Sequence, residues 1–190
     1  MGAQYPSLRG KHVFITGGAS GIGACIVEAF CRQASRVSFV DIDDPAAEAL
    51  VAKLRADGCE IRYEHCDIRD VEAIQSAVSN AMIEYGPVGV LVNNAASDDR
   101  HDISDVTPEY WDRCQAINLR PHFFTAQAVR ESMVTAGGGS IINMSSNSYM
   151  LKVPGMPGYL TAKAAIVGLS RALAKDLGTD NIRVNAVLPG

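Results

Sequence analysis

The stretch TGGASGIG, Thr16 to Gly23, follows the apolar run HVFIT (His12–Thr16) and precedes an amphipathic segment that reaches Gln33. Its glycines, Gly17, Gly21 and Gly23, are spaced GxxxGxG. A β-run, a glycine turn and a helix in that order pose one physical problem. The chain must turn sharply, pass close to a ligand and aim a helix N-terminus outward. Glycine meets this demand because it lacks a Cβ. The free N–H groups at the helix start then favour an anion, and a pyrophosphate suits such a turn. Ser20 is placed to donate to a phosphate or to cap the helix. A merely glycine-rich turn would not need the strand before and the helix after, so nucleotide binding is the expectation.

Working outward, apolar runs alternate with helical patterns. RVSFVDI (Arg36–Ile42), EIRYEH (Glu60–His65), VGVLVN (Val88–Asn93), SIINM (Ser140–Met144) and IRVNAVLP (Ile182–Pro189) read as strands. PAAEALVAKLRADG begins with Pro45 in a first helical turn and ends in Gly58. VEAIQSAVSNAMIEYG places Val71, Ile74, Val78 and Met82 at helical spacing. Near-continuous apolar strands separated by helices predict a parallel sheet covered on both faces. The expected fold is α/β, a doubly wound parallel sheet of the Rossmann type. Residues 1–190 are expected to form a single dinucleotide-binding and catalytic domain. Because VLPG directly follows a core run, the chain is expected to be C-terminally incomplete, lacking its last helix and last strand.

Composition narrows the function classes. A net charge of −4 gives no basic footprint for nucleic acid. No apolar run is long enough to span a bilayer, and no cationic amphipathic segment suggests a membrane surface. The first residues, MGAQYPSLRGK, lack the apolar core of a signal peptide. The 5 cysteines are odd in number with no CxxC pair, which argues against a disulfide framework and for a reducing, cytoplasmic setting. The 4 histidines are not spaced as metal ligands; His12 and His65 are expected to be structural, and His101 and His122 stay open.

Asp41 closes the second strand. A carboxylate there accepts hydrogen bonds from an adenosine ribose 2′-OH and repels a 2′-phosphate. Gly18 and Ile42 offer that phosphate no cation, so NAD is the expected cofactor. Asp67, after the third strand, could receive the adenine amino group, although a turn-forming Asp would read the same. In YLTAK, Tyr159 and Lys163 stand one helical turn apart on one face. A phenol is a poor base at neutral pH unless a neighbouring cation favours its ionised form. Such a pair can take a proton from an alcohol as hydride leaves its carbon. The same spacing also arises by chance in helices.

The ordered set TGxxxGIG, Asp41, NNA, an Asn in the middle helix, Ser, YxxxK and a strand ending in PG resembles the short-chain dehydrogenase/reductase family. The resemblance covers all 190 residues. It implies Tyr159 as the acid/base, with Lys163 holding the nicotinamide ribose and lowering the tyrosine pKa. It implies Ser146 on the substrate oxygen, Ser145 being the competing candidate. Asn118 would hold a water in a relay from Lys163, where the residues alone suggest only a helix kink. Ile22, Ile68, Asn94, Pro189 and Gly190 join the implied cofactor residues. No metal is implied. A homotetramer packed through two long helices, around Thr107–Val134 and Gly158–Leu177, is implied as well. Ala96 stands where the family usually has glycine, which a negative φ would permit.

The small-molecule substrate is read from NNAASDDRH, Asn93 to His101. Asn93 and Asn94 are expected to turn the strand end and set backbone and amide beside the cofactor. Asp98, Asp99, Arg100 and His101 then crowd the nicotinamide end, and Asn147, Ser148, Tyr149 and Lys152 follow Ser146. Such polarity fits a polyhydroxylated ligand better than a lipid. With NLR, Asn118 to Arg120, it resembles the family's aldose 1-dehydrogenases for xylose or arabinose. Asp98, Ser146, Asn147 and Tyr159 are the substrate candidates. A solvated loop with internal ion pairs is the plain alternative for Asp98–His101. Reduction of 3-oxoacyl or other ketones, and a non-catalytic dinucleotide-binding scaffold, are the competing functions.

Overall fold

A computed structural model describes residues 3–151 and 153–190; Lys152, named above among the polar neighbours of Ser146, lies outside the described residues. Six strands, β1 (His12–Thr16), β2 (Arg36–Asp41), β3 (Ile61–His65), β4 (Val88–Asn93), β5 (Gly139–Met144) and β6 (Ile182–Val187), form one sheet. Its order is β3-β2-β1-β4-β5-β6, and every pairing is parallel. The helices are α1 (Gly21–Arg32), α2 (Asp44–Ala56), α3 (Val71–Tyr85), α4 (Pro108–Asn118), α5 (Arg120–Thr135) and α6 (Pro157–Leu177). This is the doubly wound fold that the alternation of runs predicts.

Strand periodicity sends neighbouring side chains to opposite faces. Val13 and Ile15 of β1 enter a core with Val27 of α1 and Ala47 and Leu50 of α2. Phe14 between them enters the other core, with Ile74 of α3, Val129 of α5 and Leu173 of α6. Helix starts are fixed by short polar side chains. Asp43, Asp70 and Thr107 accept from the backbone N–H of Ala46, Ala73 and Tyr110 respectively.

One expected element is two. The long helix around Thr107–Val134 breaks at Leu119, with φ −128° and ψ −55°. Pro121 explains the break, for within a continuous helix it would lack an N–H and press on the carbonyl a turn earlier. Placed in the first turn of α5, it loses nothing. No helix among the described residues is long and apolar enough to cross a membrane.

Candidate active site

β1 lies between β2 and β4, where the strand order switches direction, and ligands of open α/β sheets bind beyond the strand ends at such a point. A cleft of about 630 Å³ opens there. Gly17, Ser20, Ile22, Gly23, Asp41, Asp67, Ile68 and Asn94, all named from the sequence as cofactor candidates, line it. Arg113 and Ile117 of α4 also line it; helix residues so far along the chain carry no local signal that would point to the cleft.

The turn explains its glycines. A Cβ on Gly23 would sit 1.7 Å from the Gly17 carbonyl oxygen, so the helix can start this close to the strand only without one. Gly21, at φ +52°, would project a Cβ into open space. Its bareness leaves the α1 N-terminus uncovered, a cradle that fits a dinucleotide pyrophosphate. Ser20 is the N-cap residue by position, yet its side chain makes no capping bond. Of its two expected roles, capping is corrected. Asn94 pins the turn to β4, its Nδ2 donating to the Gly17 carbonyl at 2.8 Å and its N–H to Thr16 Oγ1 at 3.0 Å.

Asn93 does not set its amide beside the cofactor. Strand alternation turns it inward, where its Nδ2 donates to Asn143 Oδ1 at 2.9 Å and its Oδ1 accepts from Thr125 Oγ1 at 2.6 Å. Asn143 in turn donates to Ser170 Oγ at 2.9 Å, all of it buried. Ala96 is not among the residues with positive φ, so the methyl there is unstrained.

Asp41 has a structural task besides its position in the cleft. Its carboxylate accepts from the N–H groups of Ala19 at 2.9 Å, Ile42 at 2.8 Å and Asp43 at 3.2 Å, tying the glycine turn to β2. A Cβ on Gly18 would meet Phe39 at 2.6 Å, so position 18 takes a larger side chain only if Phe39 moves. Asp67 faces the cleft under a guanidinium. Arg69 Nε reaches its two oxygens at 3.0 and 2.9 Å and holds the carboxyl below its usual range.

Beyond the cleft, α6 carries Tyr159 and Lys163 on one face, as their spacing predicts, and Lys163 Nζ lies 5.3 Å from the Tyr159 ring centroid. Lys163 is 2% exposed and donates to the Met144 carbonyl at 2.8 Å. Burial pushes its ammonium down to about 8. Nζ thus sits over the Tyr159 ring while bonded to Met144. Burial pushes the Tyr159 phenol up, the Ser146 hydroxyl pulls it down, and the Asp98 carboxylate pushes it up.

The two serines separate cleanly. Ser145 is buried and donates to the Lys163 carbonyl at 2.6 Å. Ser146 is the one beside the phenol. Asn118 ends α4 at the helix break and is fully buried. Its Oδ1 accepts from the Ser97 N–H at 2.9 Å and its Nδ2 donates to the Cys114 carbonyl at 3.0 Å. It therefore fastens the NNAAS loop to α4. Asn147 donates its N–H to the Pro189 carbonyl at 3.1 Å, and Gly190 packs against its amide.

None of Asp98, Asp99, Arg100 and His101 joins an ion pair among the described residues. The loop is held instead by His101, whose Nδ1 bonds the Tyr110 hydroxyl at 2.7 Å and whose N–H donates to the Gly155 carbonyl at 2.8 Å. His12 is structural, its ring bonded to Gly86 and Ser38 inside the fold. His65 meets Asp44 at the surface. His122 is buried with neither ring nitrogen hydrogen-bonded. Burial, then the Lys163 charge, pushes it down to about 3, so the ring is neutral. That it lies within reach of the Lys163 charge had no signal in the sequence.

The short chain dehydrogenase family matches residues 11–190. The chain is 51% identical over 189 residues to the "probable galactose dehydrogenase" of Rhizobium meliloti (strain 1021), covering 99% of this chain and 74% of that one. It is 48% identical over 188 residues to the D-xylose 1-dehydrogenase of Caulobacter vibrioides (strain NA1000 / CB15N), again covering 99% and 74%. Among solved structures, a blue fluorescent protein from a metagenomic library, in complex with NADPH, superposes with a TM-score of 0.91 at 37% identity, covering 96% and 75%. A match that takes in every element from β1 to β6 leaves one conclusion: the chain belongs to the short chain dehydrogenases.

Proposed function

We propose that this oxidoreductase oxidises an aldose at its anomeric carbon with NAD as the hydride acceptor. The observation that carries the reading is the Asp98 carboxylate, near enough to the Tyr159 phenol for its charge to oppose ionisation. A carboxylate beside the acid/base accepts hydrogen bonds from the several hydroxyls of a sugar and is costly to bury against a lipid. The names of the galactose and xylose relatives support it. Asp41 and the closed space at Gly18 support NAD over NADP.

An oxidised nicotinamide, when bound, would supply the acceptor for the C1 hydride and a positive charge near the acid/base. That charge favours the phenolate against the burial that opposes it. The Tyr159 oxygen takes the proton of the C1 hydroxyl as the C1–O bond becomes the carbonyl of a lactone. Ser146 donates to that same oxygen, and Asp98 and Asn147 meet the sugar. Lys163 holds the nicotinamide ribose, and Asn118 takes part in the water relay that returns the proton to solvent. Gly17, Ser20, Gly21, Ile22, Gly23, Asp41, Asp67, Ile68, Asn94, Pro189 and Gly190 hold the rest of the cofactor. The single domain works as a cytoplasmic homotetramer packed through α4, α5 and α6. Partly exposed Trp111 and Phe123 on α4 and α5 support that surface.

Mixing the protein with NAD and a panel of aldoses tests the reading. Aldose-dependent growth of NADH absorbance is expected. Reduction of ketones or 3-oxoacyl thioesters without any sugar turnover would overturn it.

A further inference from the structure

Ser146 opens a single 3-10 turn, Asn147–Tyr149, and its side chain caps that turn. Two donors of one residue converge on its Oγ: the Ser148 N–H at 3.2 Å and the Ser148 hydroxyl at 2.8 Å. A serine hydroxyl has one proton to give and two lone pairs to accept with. Beside Ser146 lies the Tyr159 phenol, whose ionisation the Ser146 hydroxyl favours. Only a donating hydroxyl favours a phenolate. With its proton given to the Tyr159 side, Ser146 can meet Ser148 Oγ only as an acceptor. Ser148 is therefore the donor in the 2.8 Å bond.

We propose that Ser148 is a positioning residue: its hydroxyl and N–H fill both lone pairs of Ser146 Oγ and thereby commit the Ser146 proton to the reacting oxygens at Tyr159. This rests on the acid/base role given to Tyr159 above. The sequence places Ser148 among the polar neighbours of a sugar, but its hydroxyl is engaged within the protein. The consequence is directional. A hydroxyl free to rotate can turn a lone pair toward a developing alkoxide and repel it. One whose lone pairs are filled presents only its proton. It acts as a preorganised donor that needs no reorientation as charge moves between substrate and phenol.

Ser148→Ala removes the side-chain donor and leaves the N–H. It is expected to lower kcat for the oxidised sugar about tenfold, less than the loss of a donor that touches the oxyanion itself. The decisive readout needs neither substrate nor cofactor. Tyr159 ionisation is followed by tyrosinate absorbance, as the difference between each protein and the same protein carrying Tyr159→Phe. Ser148→Ala should move that ionisation upward by about half a pH unit. Ser148→Thr, which keeps the hydroxyl, should restore both rate and titration.

An unmoved titration overturns the proposal even if the enzyme slows, because a mere disturbance of the turn would slow it too. Failure of Ser148→Thr to restore the titration overturns it as well. Because the titration uses no sugar, an upward shift in a protein that oxidises no aldose supports the proposal and counts against the sugar reading alone.

Discussion

Lys163 Nζ donates to the Met144 carbonyl at 2.8 Å, joining the last residue of β5 to the first turns of α6. The bond keeps a buried ammonium over the Tyr159 ring, and it is the burial that displaces its proton affinity. A lysine held at about 8 when folded, against 10.5 ordinarily, sheds its proton on folding between those values. Folding then gains stability as the pH rises through that window. Lys163→Met, of similar length and without charge, has no such proton. Wild type should therefore gain on Lys163→Met by about 1.4 kcal/mol per pH unit inside the window. Urea midpoints of the two proteins at several pH values check this; a constant gap between them would refute it.

Tyr159→Phe keeps the ring and removes the proton acceptor. Turnover should fall by about 10²- to 10⁴-fold, the usual contribution of a positioned acid or base. NAD affinity, measured by calorimetry, should change little, because the proposed pyrophosphate cradle lies at the glycine turn, away from the Tyr159 hydroxyl. Retained turnover would remove Tyr159 from the chemistry.

Asp41 gives two separable outcomes. Asp41→Ala should narrow the preference for NAD over NADP by about tenfold or more, since like charges brought together at a site cost several kcal/mol. It should also lower Tm, because three backbone N–H groups lose their acceptor. Adding Gly18→Arg should not complete a switch to NADP: the new side chain has to displace Phe39, and overpacking of this kind costs about 1–3 kcal/mol. A stable, NADP-selective double variant would contradict the packing described at that turn.

His122 should make the protein acid-sensitive. Its folded pKa of about 3 lies below the ordinary 6.5, so as the pH falls through that window the unfolded chain binds a proton that the folded one refuses. Stability is intact above 6.5 and declines below it. His122→Leu should remove one proton from this slope, about 1.4 kcal/mol per pH unit, relative to wild type. Superimposable pH profiles would show that the ring is not buried neutral.

The strands of a parallel sheet, the glycine turn and the Tyr159–Lys163 face were legible because each follows from a local pattern: apolar strand runs, absent Cβ atoms, helical spacing. The break at Leu119 was less so, since an amphipathic stripe can run through two helices without losing phase, and only Pro121 marks the interruption. Asn93 and Asn94 show the limit most clearly. Adjacent and chemically identical, they point to opposite sides of the sheet, one into the cleft wall and one into the interior. His122 and Ser148 act through contacts made by distant strands or by a single 3-10 turn, which no spacing rule encodes.

The chain of buried amides and hydroxyls through Thr125, Asn93, Asn143 and Ser170 has a consequence for assembly of the sheet. Apolar side chains at the centre of parallel strands are nearly interchangeable, so hydrophobicity alone tolerates a shifted pairing. Asn93 opposite Asn143 does not. Sliding β5 by one residue against β4 would turn Asn143 to the other face and strand several buried polar groups at once, each costing about 1–3 kcal/mol. The two asparagines thus act as a key that only the correct alignment turns, and that alignment brings Met144, Ser145 and Ser146 level with Tyr159 and Lys163.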